Sequence, residues 1–203
     1  MLEFTIRSLL SIKRSGNGDG TTASLYKALI ILILAALCAA GTAAPLHASD
    51  GANKASVKVG PSGLRLPRFV SLKSGRVNVR KGPSLEHPVA WVFSRVGLTV
   101  EVVNEFENWR QVRDSEGAEG WVFHSLLSGR RTALVMPWIK ERRTIPLYVR
   151  ASAGSGVIAR LEPGVLGSLL SCDGEWCNFS VDSVSGWIEK VKLWGVYKDE
   201  EIE

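Results

Sequence analysis

The fold of this 203-residue chain is decided by Val77-Asn78-Val79-Arg80-Lys81-Gly82-Pro83-Ser84. Its alternating valines predict a strand with one buried side, because successive side chains of a strand point to opposite faces. Gly82 and Pro83 end that strand, since glycine permits turn dihedrals and proline has no amide for a ladder. A short strand closed by such a turn is typical of small antiparallel β proteins.

Further short predicted strands follow this one. They are Val89–Phe93, Leu98–Val103, Trp109–Arg113 and Gly120–Phe123. Polar turns separate them, the last two being Asn104–Asn108 and Asp114–Glu119. Five strands joined by polar turns within about 50 residues predict a small closed barrel. No stretch of this region has helical periodicity.

The chain repeats the same order of landmarks once. Tyr148-Val149-Arg150-Ala151-Ser152 opens the second copy. Gly97, Trp109 and Gly120-Trp121 recur as Gly164, Trp176 and Gly186-Trp187. The offset is 70 residues between the Val-Arg pairs, 67 at the glycine and the lone tryptophan, and 66 at Gly-Trp. A nearly constant offset indicates a duplicated unit. We therefore predict an all-β chain with one domain at 74–131 and a second, degenerate domain at 132–198.

These landmarks resemble those of the bacterial SH3-like family. Its members begin with Val-Asn-Val-Arg-x-Gly-Pro-Ser, carry a mid-domain glycine and a Trp-x-x-Val strand, and close with Gly-Trp-Val. The first copy has every one of these landmarks, whereas the second has Ala151-Ser152-Ala153 in place of the Gly-Pro-Ser turn. The resemblance covers about residues 75–195 and implies two tandem five-stranded SH3-like barrels. We expect them to pack through Leu134–Trp138 and Trp194.

Residues 1–48 have the pattern of a secretory signal peptide. Lys13, Arg14 and Lys27 precede the apolar run Ala28–Ala40, and small residues follow to Ala44. Basic residues before the run keep that end in the cytoplasm and send the rest outward, into a bacterial periplasm. The alternative is an inner-membrane anchor formed by residues 28–44, although the apolar run is shorter than the roughly 20 residues of a membrane span.

The composition of the chain mainly excludes classes of binding partner. Residues 49–73 are rich in Gly, Ser, Lys and Pro and predict a flexible lead-in. The net charge is +5, but basic and acidic residues interleave, with one dense cluster at Lys140, Arg142 and Arg143. Nucleic-acid binders concentrate their charge on a stripe, so nucleic acid is not expected as a partner. A membrane is a partner only if the N-terminal apolar segment is retained, and the oligomeric state stays open.

Two cysteines of the second copy predict a disulfide. Cys172 and Cys177 flank an Asp-Gly turn of a predicted hairpin, which brings their side chains close. Export into an oxidising compartment favours the bond. A redox-active pair is the alternative, disfavoured because four residues separate these cysteines rather than two. No histidine or third cysteine lies nearby, so we predict no metal and no cofactor.

Catalysis is not expected, and a hydrolase or redox protein is the least favoured alternative. The sequence has no Gly-x-Ser-x-Gly elbow, phosphate loop or His-Glu-x-x-His helix. Glu105 with Glu107, and Glu116 with Glu119, lie in predicted turns, where charged side chains are ordinarily solvated. The three histidines are scattered along the chain, at His47, His87 and His124.

Aromatic residues of the first copy are the candidate binding site. They are Trp91, Trp109, Phe123 and His124, with the turn after Arg80 as a rim. The family resemblance implies a groove for extended peptides or cell-wall stems, a common use of flat aromatic rings. The alternative is core packing, which we favour for Trp121 and Trp187. The leading function is therefore a non-catalytic exported module that binds peptidoglycan or an envelope peptide or protein. The runner-up is a structural or scaffold component of an envelope complex.

Overall fold

The computed structural model describes residues 5–6, 58–141 and 143–203. Apart from Thr5–Ile6, the expected signal peptide or anchor at residues 1–48 lies outside the described residues. Among the residues that are described, no helix is both long enough and apolar enough to cross a membrane.

The described part of the chain is all-β, as predicted. Three short strands come first, β1 (Thr5–Ile6), β2 (Lys58–Val59) and β3 (Arg65–Leu66). The first sheet contains β4 (Arg68–Leu72), β5 (Val77–Arg80), β6 (Val89–Phe93), β7 (Thr99–Phe106), β8 (Trp109–Arg113), β9 (Glu119–Phe123) and β10 (Leu127–Ser128). The second contains β11 (Thr132–Val135), β12 (Ile145–Tyr148), β13 (Val157–Leu161), β14 (Leu166–Asp173), β15 (Trp176–Val181), β16 (Val184–Glu189) and β17 (Leu193–Trp194). Single turns of 3-10 helix lie at His124–Leu126 and Lys190–Lys192.

The two sheets have the same strand order. The first runs β10-β4-β7-β8-β9-β5-β6, and the second runs β17-β11-β14-β15-β16-β12-β13, with β1 added in parallel to β13. Neighbouring strands are otherwise antiparallel, and β2 and β3 form a separate hairpin. The duplication seen in the sequence is therefore a duplication of topology, in which each copy adds an early strand and a short final strand to the five that were predicted.

The strand register corrects the alignment of the two copies at their start. Trp121 pairs with Arg80, and its counterpart Trp187 pairs with Tyr148. The offset at this strand is therefore 68 rather than the 70 suggested by the two Val-Arg pairs. Val149 is exposed beyond the end of β12 and does not occupy the place of buried Val79. Burial of alternate side chains sets the register, and here it overrides residue identity.

Each barrel has its own apolar core. In the first, aliphatic side chains from five strands are fully or almost fully buried, namely Leu72, Val77, Val79, Val100, Val102, Val112 and Val122. In the second, the largest fully buried side chains are Leu147, Leu161, Phe179 and Ile188. Small barrels of this size bury only about 60% of their unfolded surface, so contacts outside the cores carry weight.

The end of the predicted flexible lead-in is folded, which corrects that prediction. Arg68–Leu72 forms β4 between β7 and β10, and its last four residues are buried. Before it, the β2–β3 hairpin pairs Lys58 with Leu66. The stretch Phe69–Leu72 is short, contains Ser71 and follows Pro67-Arg68, so composition alone did not distinguish it from a linker.

The barrels pack through the outer side of β4 and the C-terminal segment. The ring centroid of Phe69 lies 5.2 Å from that of Trp194 and 4.6 Å from that of Tyr197. The Tyr197 hydroxyl donates to a carboxylate oxygen of Glu101 at 2.8 Å. Trp194 thus takes part as predicted, whereas Trp138 is 48% exposed. Tyr197 follows the last strand, so the C-terminal segment 197–203 connects the two barrels. We call this segment the strap.

The predicted disulfide between Cys172 and Cys177 is present. The two residues are a cross-strand pair of β14 and β15. In the first barrel the same position of β7 and β8 is occupied by Glu105 and Arg110, whose carboxylate and guanidinium lie 3.0 Å apart. The two copies therefore close the same hairpin by different chemistry, a covalent bond in one and an ion pair in the other.

Replacing both Cys172 and Cys177 with serine should lower the free energy of unfolding by about 2 kcal/mol, the chain-entropy value for so short a loop. Urea unfolding followed by tryptophan fluorescence measures the change. The reduced wild-type protein is the matched control, and its free energy of unfolding should fall most of the way to that of the variant. An unchanged midpoint in the double variant would contradict this role for the bond.

Candidate binding face of the first barrel

Three of the four predicted site residues lie together on the outer face of the first barrel. Trp109 in β8 is opposite Phe123 in β9, and their rings meet edge to face with centroids 5.5 Å apart. The Phe123 ring also contacts His124, with centroids 5.0 Å apart. Exposure falls along this set, from exposed His124 through half-buried Phe123 to buried Trp109. We call these three residues the aromatic row.

Trp91 lies on the other side of the sheet. It is opposite Val79, which is fully buried, and its ring lies edge to face against Phe93 with centroids 6.0 Å apart. Its indole Nε1 is buried and has no hydrogen-bond partner among the described residues. The four predicted residues therefore do not form one groove, because Trp91 packs against the barrel core and the aromatic row faces outward.

Trp121 belongs to the outer face, although the sequence favoured a core position for it. It lies between Gly120 and the fully buried Val122, so alternation along β9 points it outward. It is half-buried and stands opposite Gln111 on one side and Arg80 on the other. The alternation in Gly-Trp-Val was present in the sequence and could have placed this ring outside.

Arg80 fixes the loop that borders this face. Its guanidinium Nη1 donates to the main-chain carbonyls of Leu85 at 3.1 Å and His87 at 2.6 Å. The His87 ring lies over Gly82 and leaves no room there for a Cβ atom. The turn predicted as a rim is thus tied to the strand that enters it, with Leu85 exposed.

The charged side chains at the other end of the face are paired with one another. Arg113 Nε donates to Glu119 at 2.8 Å, and the same carboxylate accepts from Gln111 Nε2 at 2.9 Å. The hydrogen bond from Arg113 to Glu119 raises the pKa of the guanidinium, which burial alone would lower. A second carboxylate, Glu101, lies 3.3 Å from Arg113. These carboxylates are therefore held in an ion-pair network.

Glu105 is also held by partners, which corrects its predicted place in a solvated turn. It lies in β7 with its side chain only 1% exposed. Its carboxylate accepts from the Ser62 amide at 2.9 Å, the Ser62 hydroxyl at 2.8 Å and Arg68 Nη2 at 2.7 Å, and lies 3.0 Å from Arg110 Nε. Burial raises the pKa of this carboxyl, but the hydrogen bonds from Ser62 and Arg68 outweigh it and hold the pKa below its usual value. Glu105 is thus a structural charge beneath the β2–β3 hairpin.

No metal centre is formed within the ranges that the structure describes, because no three His, Cys, Asp or Glu side chains gather there in a suitable group.

The second barrel does not repeat the aromatic row. Trp176 stands in the place of Trp109, but Glu189 and Lys190 replace the phenylalanine and the histidine. Trp176 packs edge to face on buried Tyr148, with ring centroids 5.6 Å apart. The buried Lys190 ammonium donates to two main-chain carbonyls of the C-terminal segment, at 2.9 and 3.2 Å. This face is therefore occupied by its own side chains and by the strap.

Fold and site together define a tandem of two small antiparallel barrels with aromatic side chains on the outer face of the first. Residues 73–129 and 141–195 each match the family described as Bacterial SH3 domain, and the chain belongs to that family. Both of the matched segments are SH3 domains. A comparison with curated protein sequences gave no match.

Several solved structures are similar to part of the chain. NlpC2 from Trichomonas vaginalis is 14% identical over 66% of this chain and 50% of its own, with a TM-score of 0.30. NlpC1 from the same organism is 12% identical over 66% and 48%, with a TM-score of 0.30. A NlpC/P60 family protein from Bacillus cereus is 13% identical over 62% and 55%, with a TM-score of 0.27. The chain thus spans about half the length of these proteins.

Proposed function

We propose that this protein is an exported, non-catalytic binding module whose first barrel recognises peptidoglycan or a peptide of a cell-envelope protein. The observation that carries the proposal is the outer face of that barrel, where the aromatic row lies on the same side of the sheet as half-buried Trp121. Partly exposed flat rings beside a fixed loop suit stacking against an extended ligand. The membership in the bacterial SH3 family and the disulfide are consistent with export.

In this proposal the two barrels have different roles. In the first barrel His124 is exposed and Phe123 and Trp121 are half-buried, while the second fills the equivalent face with Tyr148, an ion pair between Glu189 and Lys192, and the strap bound by Lys190. Ion pairing of Glu105 and Glu119 supports a role without catalysis, since neither carboxylate is left as a free acid or base. The second barrel then supports the first instead of adding a second site.

Trp121 and Trp187 provide the test, because they occupy equivalent strand positions and both are half-buried. Purified protein is mixed with isolated cell-wall sacculi, and the bound fraction is measured after sedimentation. Trp121→Ala should weaken retention about tenfold or more, the equivalent of at least about 1.4 kcal/mol of binding free energy. Trp187→Ala is the matched control for lost ring packing and should bind as the wild type does.

Two results would contradict this proposal in different ways. Equal loss of retention in both variants would show that the first barrel has no special role. A wild-type protein that is not retained on sacculi at all would exclude wall binding. Crosslinking in intact cells then separates the remaining candidates, since one dominant crosslinked protein that is insensitive to Trp121→Ala would indicate a scaffold role.

A further inference from the structure

We propose that the free edge of β6 is a second docking site, where an extended peptide segment adds to the first sheet as a further strand. β6 is the last strand of its sheet, and among the described residues its ladder partner is β5 alone. The main-chain amides and carbonyls of its other edge are therefore available, and such an edge is a template for an added strand. The site is distinct from the aromatic row, since β5 separates β6 from β9.

β6 lacks the charged and proline residues that commonly protect an edge strand. Its residues are Val89-Ala90-Trp91-Val92-Phe93, with no charge and no proline. Lysine, proline and inward-pointing charges are the ordinary means by which proteins prevent pairing at a sheet edge. Here the side chains of Val89 and Val92 are instead 41% and 43% exposed.

A bulge brings those two valines to the same face. Val92 pairs with Asn78, whereas Val89 pairs with Arg80, and Ala90 is left between the pairs. The outer face next to the free edge is therefore apolar at both ends of the strand. An incoming strand would place its own side chains beside these valines at the ordinary cross-strand spacing, which favours apolar residues at alternate positions of the partner.

In the full-length chain the equivalent edge of the second barrel accepts an added strand, which comes from the segment expected to be removed on export. β13, which corresponds to β6 in strand order and register, carries the extended segment Thr5–Ile6 in parallel orientation, with Thr5 opposite Arg160 and Ile6 opposite Leu161. The corresponding positions of β6 are Val92 and Phe93. The parallel orientation favours a peptide over a second copy of this chain, because self-pairing of β6 across a two-fold axis would be antiparallel.

The probe is the synthetic peptide acetyl-Lys-Thr-Ile-Thr-Ile-Lys-amide, which repeats the Thr-Ile pair seen on β13. Amide hydrogen exchange of Val89–Phe93 is measured with and without the peptide. We expect exchange at the edge-facing amides to slow at least tenfold, and no slowing with the same peptide N-methylated at every second residue. Val92→Lys should abolish the effect. Val191→Lys, at a 62% exposed position of the second barrel, is the matched control and should leave it intact.

Three outcomes would overturn the proposal. Exchange that does not change with the peptide, or changes equally with its N-methylated form, would show that no ladder is formed. Slowing without peptide that grows with protein concentration would assign the edge to a second copy. Trp121→Ala separates this proposal from the previous one, because it should reduce binding to sacculi and leave peptide protection of β6 unchanged.

Discussion

Replacing Glu105 with alanine is expected to lower the free energy of unfolding by about 3–5 kcal/mol, the usual cost of removing one partner from a buried ion pair. The carboxylate lies between Arg68 and Arg110, whose side chains are 20% and 12% exposed. Removing it leaves two poorly hydrated guanidinium groups without a counter-charge. It also leaves the Ser62 amide without its carboxylate acceptor and releases the β2–β3 hairpin.

Urea unfolding at pH 7 measures this loss, and Glu107→Gln is the matched control. Glu107 is two residues away in the sequence and exposed, so its replacement should change the free energy of unfolding by less than about 0.5 kcal/mol. A loss below about 1 kcal/mol for Glu105→Ala would contradict the argument. It would mean that Arg68 and Arg110 reach water once the carboxylate is gone.

Acidification gives a second measurement on the same site. Because the folded-state pKa of Glu105 is lowered, its contribution is complete above the unfolded pKa of about 4.3 and is lost as the pH falls through the lower folded value. Glu105→Gln carries no charge at any pH. The difference in stability between wild type and this variant should therefore be constant near neutral pH and shrink below about pH 4. A difference that does not depend on pH would show that the charge of Glu105 contributes nothing.

Periodicity was enough to predict the strands but not the partners of their charged residues. The alternation of Val77 with Val79 and the recurrence of Gly97 as Gly164 predicted two barrels, and both glycines do have positive φ, 74° and 79°. Glu105 looked like a turn residue because Asn104–Asn108 is polar. A bulge in β7 carries the strand on to Phe106 instead, and this turns Glu105 inward. Such a bulge has no clear signature in one sequence.

The candidate site was predictable where it followed strand alternation and not where it depended on register between strands. Trp109 and Phe123 were both named from the sequence, but their contact depends on the alignment of β8 with β9, which the structure supplies. Trp91 was misplaced because its orientation follows from its pairing with buried Val79, and that pairing is not visible in the sequence of β6 itself. Long-range partners such as Tyr197 and Glu101 leave no trace in local patterning.

An arginine at equivalent positions of the two barrels pairs with a carboxylate, but the carboxylates come from different parts of the chain. Arg68 in β4 corresponds to Arg131, which directly precedes β11. The first arginine finds its carboxylate in β7, at Glu105. In the second barrel that position is Cys172, and the carboxylate comes instead from Glu200 in the C-terminal segment. Because Cys172 occupies the position of Glu105, the second barrel depends on the C-terminal segment for the carboxylate that pairs with Arg131.

Deleting residues 197–203 should lower the free energy of unfolding of the second barrel by about 4 kcal/mol or more, since buried Lys190 and partly buried Arg131 lose their partners. Arg131 loses Glu200, and Lys190 loses the two carbonyls that accept from its ammonium. Cys172 also loses its two main-chain hydrogen bonds to Ile202, of 2.8 and 3.0 Å. Burial alone would raise the pKa of Glu200, but hydrogen bonds from the Arg131 guanidinium and the Tyr197 main-chain amide hold it below its usual value, so the carboxylate stays charged near neutral pH.

The same deletion should separate the unfolding of the two barrels. Tyr197 joins the strap to Phe69 and Glu101 of the first barrel, so its loss removes a link that makes the barrels unfold together. Calorimetry should then show two transitions where one is expected for the full chain, with the lower transition belonging to the second barrel. Removal of exposed Glu203 alone is the matched control and should leave one transition at the wild-type temperature. A single unshifted transition after deletion of 197–203 would show that the cores and the disulfide hold the second barrel without the strap, and that the remaining contacts, such as Phe69 with Trp194, are enough to couple the barrels.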